Sequence, residues 1–517
     1  MIRNVMLHDF VIDTVERHPS LPALCVDGAT LSYAELAACA SRVKARLIDE
    51  CSRIPGQTIR SCLLFAHRSA SAYSGVLGIL AAGMAYVPLN PTFPPERTAS
   101  MIKRAGTPII LVDERCREHM EAVLPLIDFP VRIILFDDVF SSHDAPTSAT
   151  LRSNGSAGDA AYILFTSGTT GIPKGVSVSH GSACAYIANQ LRFTPPMADA
   201  RYSQVSDLTF DPSVHDMFVC WANGGCLHVP ASLDALYLAE FVKQQRITHW
   251  FSVPSIGIFM QRFRKLRANA FPSLRISIFG GEALPTDLVR AWMQAAPATQ
   301  VANVYGPTEA TVACFRFDVT PEFLAETSLA VTPIGWPLGG QEAVVVDEEL
   351  KPVRSGNSGE LLLGGSQLAS GYLSDREDDH RKFLLHHYPG QNGTRWYRSG
   401  DVACVSDRYG MLFRGRIDTQ IKLFGHRLEL QEIEDIVRKC SDAVLVCVLA
   451  WPCDPAGAPK GLVAFLLNPK VDESELLARY RQRLPAYALP HRSVHLENFP
   501  LNVNGKVDRK KLAELLT

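Results

Sequence analysis

AAYILFTSGTTGIPKG, residues 160–175, joins an apolar run to a loop of small and hydroxylated residues. Ala160 to Phe165 has the length and composition of a buried strand. Behind it come the hydroxyls of Thr166, Ser167, Thr169 and Thr170, the glycines Gly168, Gly171 and Gly175, and the single cation Lys174. Glycines let backbone N–H groups approach an anion, hydroxyls add donors and lysine adds charge, so the composition predicts a phosphate cradle. It is not a Walker loop, because Lys174 follows Gly171 by three positions and the G-x-x-x-x-G-K-[ST] spacing is absent. Read alone, the segment is also a flexible surface turn, and other motifs must decide.

On either side, helical periodicity (Ala34 to Ile48, Leu236 to Gln245, Leu288 to Ala295) alternates with short apolar runs (Ile109 to Val112, Val131 to Phe136, Leu274 to Phe279). Such alternation predicts an α/β fold with largely parallel sheets. Tyr73 to Leu89 reads as a buried helix leading into a strand, since it is too short and glycine-interrupted to cross a bilayer. The polar stretch Ser141 to Gly158 reads as an exposed connection just before the loop. The last hundred residues look separate. They open with GRIDTQIKLFGHRLELQEIE (Gly415 to Glu434), whose tail is amphipathic, and continue through the strand-like Ala443 to Ala450 and Gly461 to Leu467. The boundary falls near Asp418.

The chain has 517 residues, roughly three times a typical domain of about 100–200, so more than one core is expected. At 47% hydrophobic and 20% charged it is ordinary for a globular enzyme. A formal net charge of −2 gives no field that would draw nucleic acid or an anionic membrane, so neither is expected as a partner. The 13 cysteines are scattered, odd in number and without a C-x-x-C pair, which fits reduced thiols packed in cores. With Asp9, Asp13, Glu16 and Arg17 where a signal peptide needs an apolar stretch, a cytoplasmic location is expected.

Read in order, the motifs Leu31-Ser32-Tyr33-Ala34-Glu35-Leu36, Ala82 to Pro88, the phosphate loop, Phe210-Asp211-Pro212-Ser213 and Asn303-Val304-Tyr305-Gly306-Pro307-Thr308-Glu309 resemble those of the adenylate-forming superfamily. Gly359-Glu360-Leu361, Gly371-Tyr372-Leu373, Tyr397 to Asp401, Gly415 to Asp418, Leu484 to Tyr487 and Asn504 to Arg509 continue the series almost to the end. Within that superfamily the chain is similar to amino-acid adenylation domains of nonribosomal peptide synthesis and their stand-alone relatives, among them D-alanine carrier-protein ligases. The resemblance implies a large N-terminal domain of sheet-and-helix subdomains (1–417) joined to a small mobile C-terminal α/β domain (418–517), with the active site between them.

It also implies the site's parts. Tyr305 would stack on the adenine of ATP with Asn303 near its amino edge, Asp401 would accept from the ribose hydroxyls, and Arg416 would support the nucleotide. Glu309 is the expected Mg²⁺ ligand and Thr308 the α-phosphate contact, while Lys506 would stabilise the adenylation transition state. Plainer readings exist: Tyr305 as core, Asp401 as a turn residue, Glu309 as a solvated helix acid, Lys506 as a solvated turn after Asn504-Gly505. Asp418 matches the hinge about which the small domain rotates, withdrawing Lys506 and presenting Gly425-His426-Arg427. Phe210 matches an aromatic gate on the thiol's path, or is a core phenylalanine.

In amino-acid-activating members the position of Asp211 holds the substrate ammonium, which once desolvated needs a carboxylate partner; the other reading of Asp211 is a helix N-cap. The matching pocket positions are Pro212, His215, Phe251, Ile278, Gly280, Val304, Val312 and Ala313. They are mostly apolar, with His215 the unusual member, and the set is nearest to pockets for branched aliphatic residues, with proline or another small apolar amino acid as rivals. The carrier protein bearing a phosphopantetheine thiol is expected on a separate chain. Two other functions share parts of the pattern: an acyl- or aryl-CoA ligase, which has no use for Asp211, and a nucleotide-binding regulatory protein with decayed catalysis.

Overall fold

A computed structural model describes residues 5–54, 58–141, 151–167, 173–373, 381–453, 459–500 and 507–516. The longest helix among them, Tyr33–Ser52, starts where the sequence LSYAEL encodes a reciprocal cap: Ser32 Oγ accepts the Glu35 N–H and the Glu35 carboxylate accepts the Ser32 N–H. Tyr73 to Leu89 divides as its pattern predicts, into the end of the helix Ala70–Ala81, almost wholly buried, and the strand Ala85–Leu89. The strand Ile109–Val112 coincides with its apolar run.

Two large sheets dominate the N-terminal part. A nine-stranded sheet runs from Trp336–Pro337 through Phe315–Val319, Gln300–Tyr305, Ile276–Gly280, His249–Ser252, Arg201–Ser203, Cys226–His228 and Pro22–Val26 to Ala29–Ser32. Its central strands are parallel, with antiparallel partners at both ends. A seven-stranded sheet has four parallel ladders and an antiparallel edge that carries Ala160–Thr166, Lys174–Ser179 and Gly371–Tyr372. The helices Tyr33–Ser52, Ala70–Ala81, His180–Phe193 and Pro212–Ala222 lie between the sheets and share one continuous core with both, including Leu64, Tyr86, Leu164, Trp221, Phe251 and Val304.

The third sheet departs from the parallel expectation. Its strands, Gln341–Val346, Ser358–Gly365, Phe383–Leu385, Arg395–Ser406 and Gly410–Arg416, are all antiparallel. Gln341–Val346 is followed directly by Ser358–Gly365, and Arg395–Ser406 by Gly410–Arg416, with no helix between the members of either pair, and strands joined by short turns pair antiparallel. Beyond Arg416 come the hairpin Gln420–Leu423/His426–Glu429, the amphipathic helix Leu430–Ser441 and a three-stranded sheet, with a core of their own around Leu430, Val437, Val448 and Leu466. A separate core therefore begins between Phe413 and Ile421.

None of the 13 cysteines forms a disulfide, and only Cys453 is exposed. Among the described residues no helix is long and apolar enough to cross a membrane.

Candidate active site

The ends of the two large sheets and the docked C-terminal hairpin enclose a cavity of about 230 Å³. The phosphate-loop residues enter from the seven-stranded sheet. Thr166 closes one strand and Lys174 opens the next, in register as cross-strand partners. Lys174 is buried, with Nζ 5.7 Å from the Tyr372 ring centroid. Ser167 donates its hydroxyl to the Arg427 carbonyl at 2.7 Å. Gly168, Thr169 and Thr170 of this loop, and Lys506, lie outside the described residues.

On the opposite wall, the strand Gln300–Tyr305 carries both expected adenine-site residues. Tyr305 donates its hydroxyl to Asp401 at 2.5 Å, and Arg416, the cross-strand neighbour of Asp401, pairs with the same carboxylate. Arg416 also grips Asp418 through two bonds of 2.7 and 2.8 Å, the bidentate geometry that suits guanidinium to carboxylate. Burial disfavours the charge on Asp418, but Arg416 outweighs it and holds the carboxyl below its usual range. Asn303 is buried and spends its amide nitrogen on the Thr332 and Pro333 carbonyls, at 3.2 and 2.8 Å, which leaves its amide oxygen for any ligand. Lys422, from the hairpin, sits 5.9 Å from the Tyr305 ring centroid, its pKa lowered by burial against the pull of Asp401.

Thr308 and Glu309 form a short 3-10 turn after that strand, followed by two β-branched residues with positive φ, Thr311 at 57° and Val312 at 65°. Such backbone costs about 1–3 kcal/mol per residue and persists only where its surroundings impose it. Here the turn brings Thr308 and Val312 to the cavity wall that Asp211 also lines. Glu309 is buried; it accepts from Tyr372 at 2.7 Å on one oxygen and from Arg427 at 2.8 Å on the other. Burial opposes its charge, yet Arg427 and Tyr372 hold its pKa below the ordinary value.

Asp211 is the N-cap residue of the helix Pro212–Ala222 by position but makes no side-chain capping bond. Its Oδ2 is buried with no hydrogen-bond partner, and burial pushes its pKa up to about 6. Of the predicted pocket, Pro212, Phe251, Gly280, Val304 and Val312 line the same cavity as Asp211. His215 and Ile278 do not: they line a separate small cavity on the far side of Phe251. Ala313 is buried beside Val312 without lining either.

The hairpin residues Gly425, His426 and Arg427 are inside the site. Gly425 has φ 81°, and a Cβ there would fall 2.6 Å from Val253, so only glycine permits this approach. Its N–H donates to Glu282 at 2.6 Å, and the other Glu282 oxygen accepts the Ser255 N–H at 2.9 Å. The His426 ring stacks on Tyr487 at 3.6 Å and meets Phe210 edge-on at 4.8 Å. Arg97 and Glu432 form a buried ion pair of 2.7 Å across the same junction. Glu282 and Lys422 are contributors that sequence reasoning did not single out, and Tyr372 appears there only within a motif, with no role. Glu282 had one signal, a carboxylate directly after Gly280-Gly281 at the end of an apolar strand.

A model of the AMP-binding enzyme family matches residues 11–373. Apicidin F synthase of Gibberella fujikuroi is 32% identical over 529 residues, a match that spans 95% of this chain and 10% of that protein. Surfactin synthase subunit 2 of Bacillus subtilis is 32% identical over 512 residues, spanning 98% of this chain and 14% of its own length. The chain thus matches a small part of these relatives. Among solved structures, the Vibrio cholerae adenylation domain AlmE in complex with glycyl-adenosine-5'-phosphate superimposes with a TM-score of 0.87 at 29% identity, covering 100% of this chain and 98% of that one. The fold, the sheet-end cavity and these matches agree: the chain belongs to the AMP-binding enzyme family of adenylate-forming ligases, in its nonribosomal-peptide adenylation-domain branch.

Proposed function

We propose that this chain uses ATP to activate an apolar α-amino acid, of the branched aliphatic, proline or small class, and passes the aminoacyl group to the phosphopantetheine thiol of a separate carrier protein. The observation that carries this reading is Asp211: a buried carboxylate oxygen without a partner, on a cavity wall shared with the apolar Pro212, Phe251, Gly280, Val304 and Val312. An ammonium is the complement that such an oxygen lacks. The aminoacyl adenylate bound to the Vibrio cholerae domain is a product of the proposed kind.

In the first half-reaction the substrate carboxylate attacks the α-phosphorus and pyrophosphate leaves, so negative charge gathers and counter-charge is the main requirement. Thr166, Ser167, Gly168, Thr169, Thr170 and Lys174 would hold phosphate, with Thr308 at the α-phosphate and Lys506 at the reacting oxygens. Tyr305, Asn303, Asp401 and Arg416 would hold the nucleoside. Glu309 fits Mg²⁺: it is a buried carboxylate whose charge is balanced here by Arg427, and without Arg427 it would need another cation. A bound Mg²⁺ would supply positive charge to the phosphates.

In the second half-reaction the thiol attacks the acyl carbon and AMP leaves. Residues 1–417 and 418–517 would act as two bodies hinged at Asp418, and the docked Gly425–Arg427 segment supports assigning the present arrangement to thiol transfer. Amino-acid-dependent ATP–pyrophosphate exchange across the proteinogenic amino acids, D-alanine and plain carboxylic acids tests the reading. Exchange is expected with an apolar amino acid. Silence with every amino acid but exchange with a plain acid would overturn it, and thioester formation on free CoA would point to an acyl- or aryl-CoA ligase instead.

A further inference from the structure

Phe251 lines two cavities. One is the large cavity with Asp211; the other is a cell of about 10 Å³, room for one water, lined by His215, Ile278, Thr194, Ser203 and Asp216. We infer that Phe251 is a partition that ends the substrate's side-chain compartment, so that the enzyme selects an amino acid no larger than glycine or alanine. The inference rests on the amino-acid-adenylating reading above and narrows it.

The partition is fixed from both sides. On the substrate side, a Cβ at Gly280 would come within 2.8 Å of Val304 Cγ2 and 3.4 Å of Phe251 Cε2, so Val304 and Phe251 already close over the bare Gly280 Cα. On the far side, His215 meets Phe251 edge-on at 4.9 Å and is held by the Tyr186 hydroxyl at 2.8 Å. His215 lies one helical turn beyond Asp211, so a side chain that grew along this helix from an ammonium held at Asp211 would take a path towards it. Phe251 stands across that path at 5% exposure. A branched side chain would have to drive Phe251 into His215, and close-packed interiors resist such overpacking. A hydroxymethyl group would bury its hydroxyl against Phe251, Val304 and Val312.

The cell behind the partition is polar and under-satisfied. Thr194 Oγ1, Ser203 Oγ and Asp216 Oδ2 are buried and without hydrogen-bond partners in the protein. The geometry suits a single bound water there, so opening the partition would add space rather than collapse the wall.

Pyrophosphate exchange with glycine, L- and D-alanine, serine, valine, leucine and proline tests the partition, in the wild type and in Phe251→Ala. Wild-type exchange is expected to be at least about ten-fold faster, per unit concentration, with glycine or an alanine than with valine, leucine or proline. Phe251→Ala is expected to reverse that ranking in favour of valine or leucine, a gain that an unfolded protein cannot give. A wild type that prefers valine, leucine or proline, or a folded Phe251→Ala that keeps the wild-type ranking, would overturn the partition and leave amino-acid activation standing. Exchange with plain carboxylic acids alone would overturn both. Where Phe251→Ala is not recovered folded, the wild-type ranking decides by itself.

Discussion

Two carboxylates of the site, one proposed for the phosphate end and one for the substrate end, differ in what faces them. Glu309, at the phosphate end, has both oxygens engaged, one by Tyr372 and one by Arg427, and its pKa is lowered. Asp211, at the proposed substrate end, is less deeply set but has a buried oxygen without a partner, and burial raises its pKa to about 6. Proteins rarely bury a carboxylate oxygen without compensation. Glu309 thus has its counter-charge within the chain, whereas the free Asp211 oxygen leaves room for the ammonium proposed above.

The largest effect should come from the proposed substrate end. Asp211→Ala removes the only carboxylate proposed to face the ammonium, and losing one partner of a desolvated charge pair costs about 3–5 kcal/mol. At about 1.4 kcal/mol per factor of ten, amino-acid-dependent exchange should fall by roughly 10²–10⁴-fold. Loss of less than ten-fold would break the contrast between the two ends.

The same residue gives a pH signature. Its folded pKa lies above the unfolded value, so its contribution to stability is fully present below about 4 and is lost as pH rises through about 6. Ammonium binding needs the ionised form and follows the opposite course. The KM for the amino acid should therefore fall as pH rises from 5 to 7 in the wild type and stay flat across that window in Asp211→Asn, measured by exchange at saturating ATP. Parallel profiles in the two proteins would remove Asp211 from ammonium binding.

The satisfied end is sharpened by removing each partner in turn. Glu309→Gln strands the Arg427 guanidinium in a buried setting, a loss of about 3–5 kcal/mol that should lower Tm by several degrees, with or without Mg²⁺. Arg427→Ala strands the carboxylate instead, and a carboxylate can recruit a hard cation. Added Mg²⁺ should therefore raise the Tm of Arg427→Ala and leave that of Glu309→Gln unmoved. Equal responses in scanning calorimetry would count against Glu309 as the metal ligand.

The sequence made both carboxylates legible, but not all that surrounds them. Asp211 and its apolar neighbours could be named because each falls at a fixed offset within an ordered series of motifs, and those offsets carry the strand-to-helix geometry with them. The apolar runs likewise announced the parallel strands, whose side chains are buried on both faces. What could not be read is distance across the fold. Glu309 and Arg427 are 118 residues apart, and nothing in their spacing says that one balances the other. Nor does composition reveal that Phe251 separates His215 and Ile278 from the rest of the predicted pocket, because that depends on one ring's place between two layers. The antiparallel third sheet was missed because pairs such as Gln341–Val346/Ser358–Gly365 and Arg395–Ser406/Gly410–Arg416 follow one another without the intervening helix on which the alternation argument relied.

The smallest of these effects concerns Glu282, which belongs to neither end but holds the hairpin that brings Arg427 in. Its carboxylate accepts one N–H from Ser255, within its own part of the chain, and one from Gly425, beyond the boundary. A hydrogen bond to a charged acceptor contributes about 1.5–3 kcal/mol, and Glu282→Gln keeps the shape while giving up the charge. If docking of Gly425–Arg427 serves only thiol transfer, carrier loading in a single-turnover assay from preformed adenylate should slow by about ten-fold in this variant, with pyrophosphate exchange within about two-fold of wild type. A matched fall in both half-reactions would make Glu282 a general support of the cavity wall, whereas an unaltered loading rate would show that the hairpin docks without it.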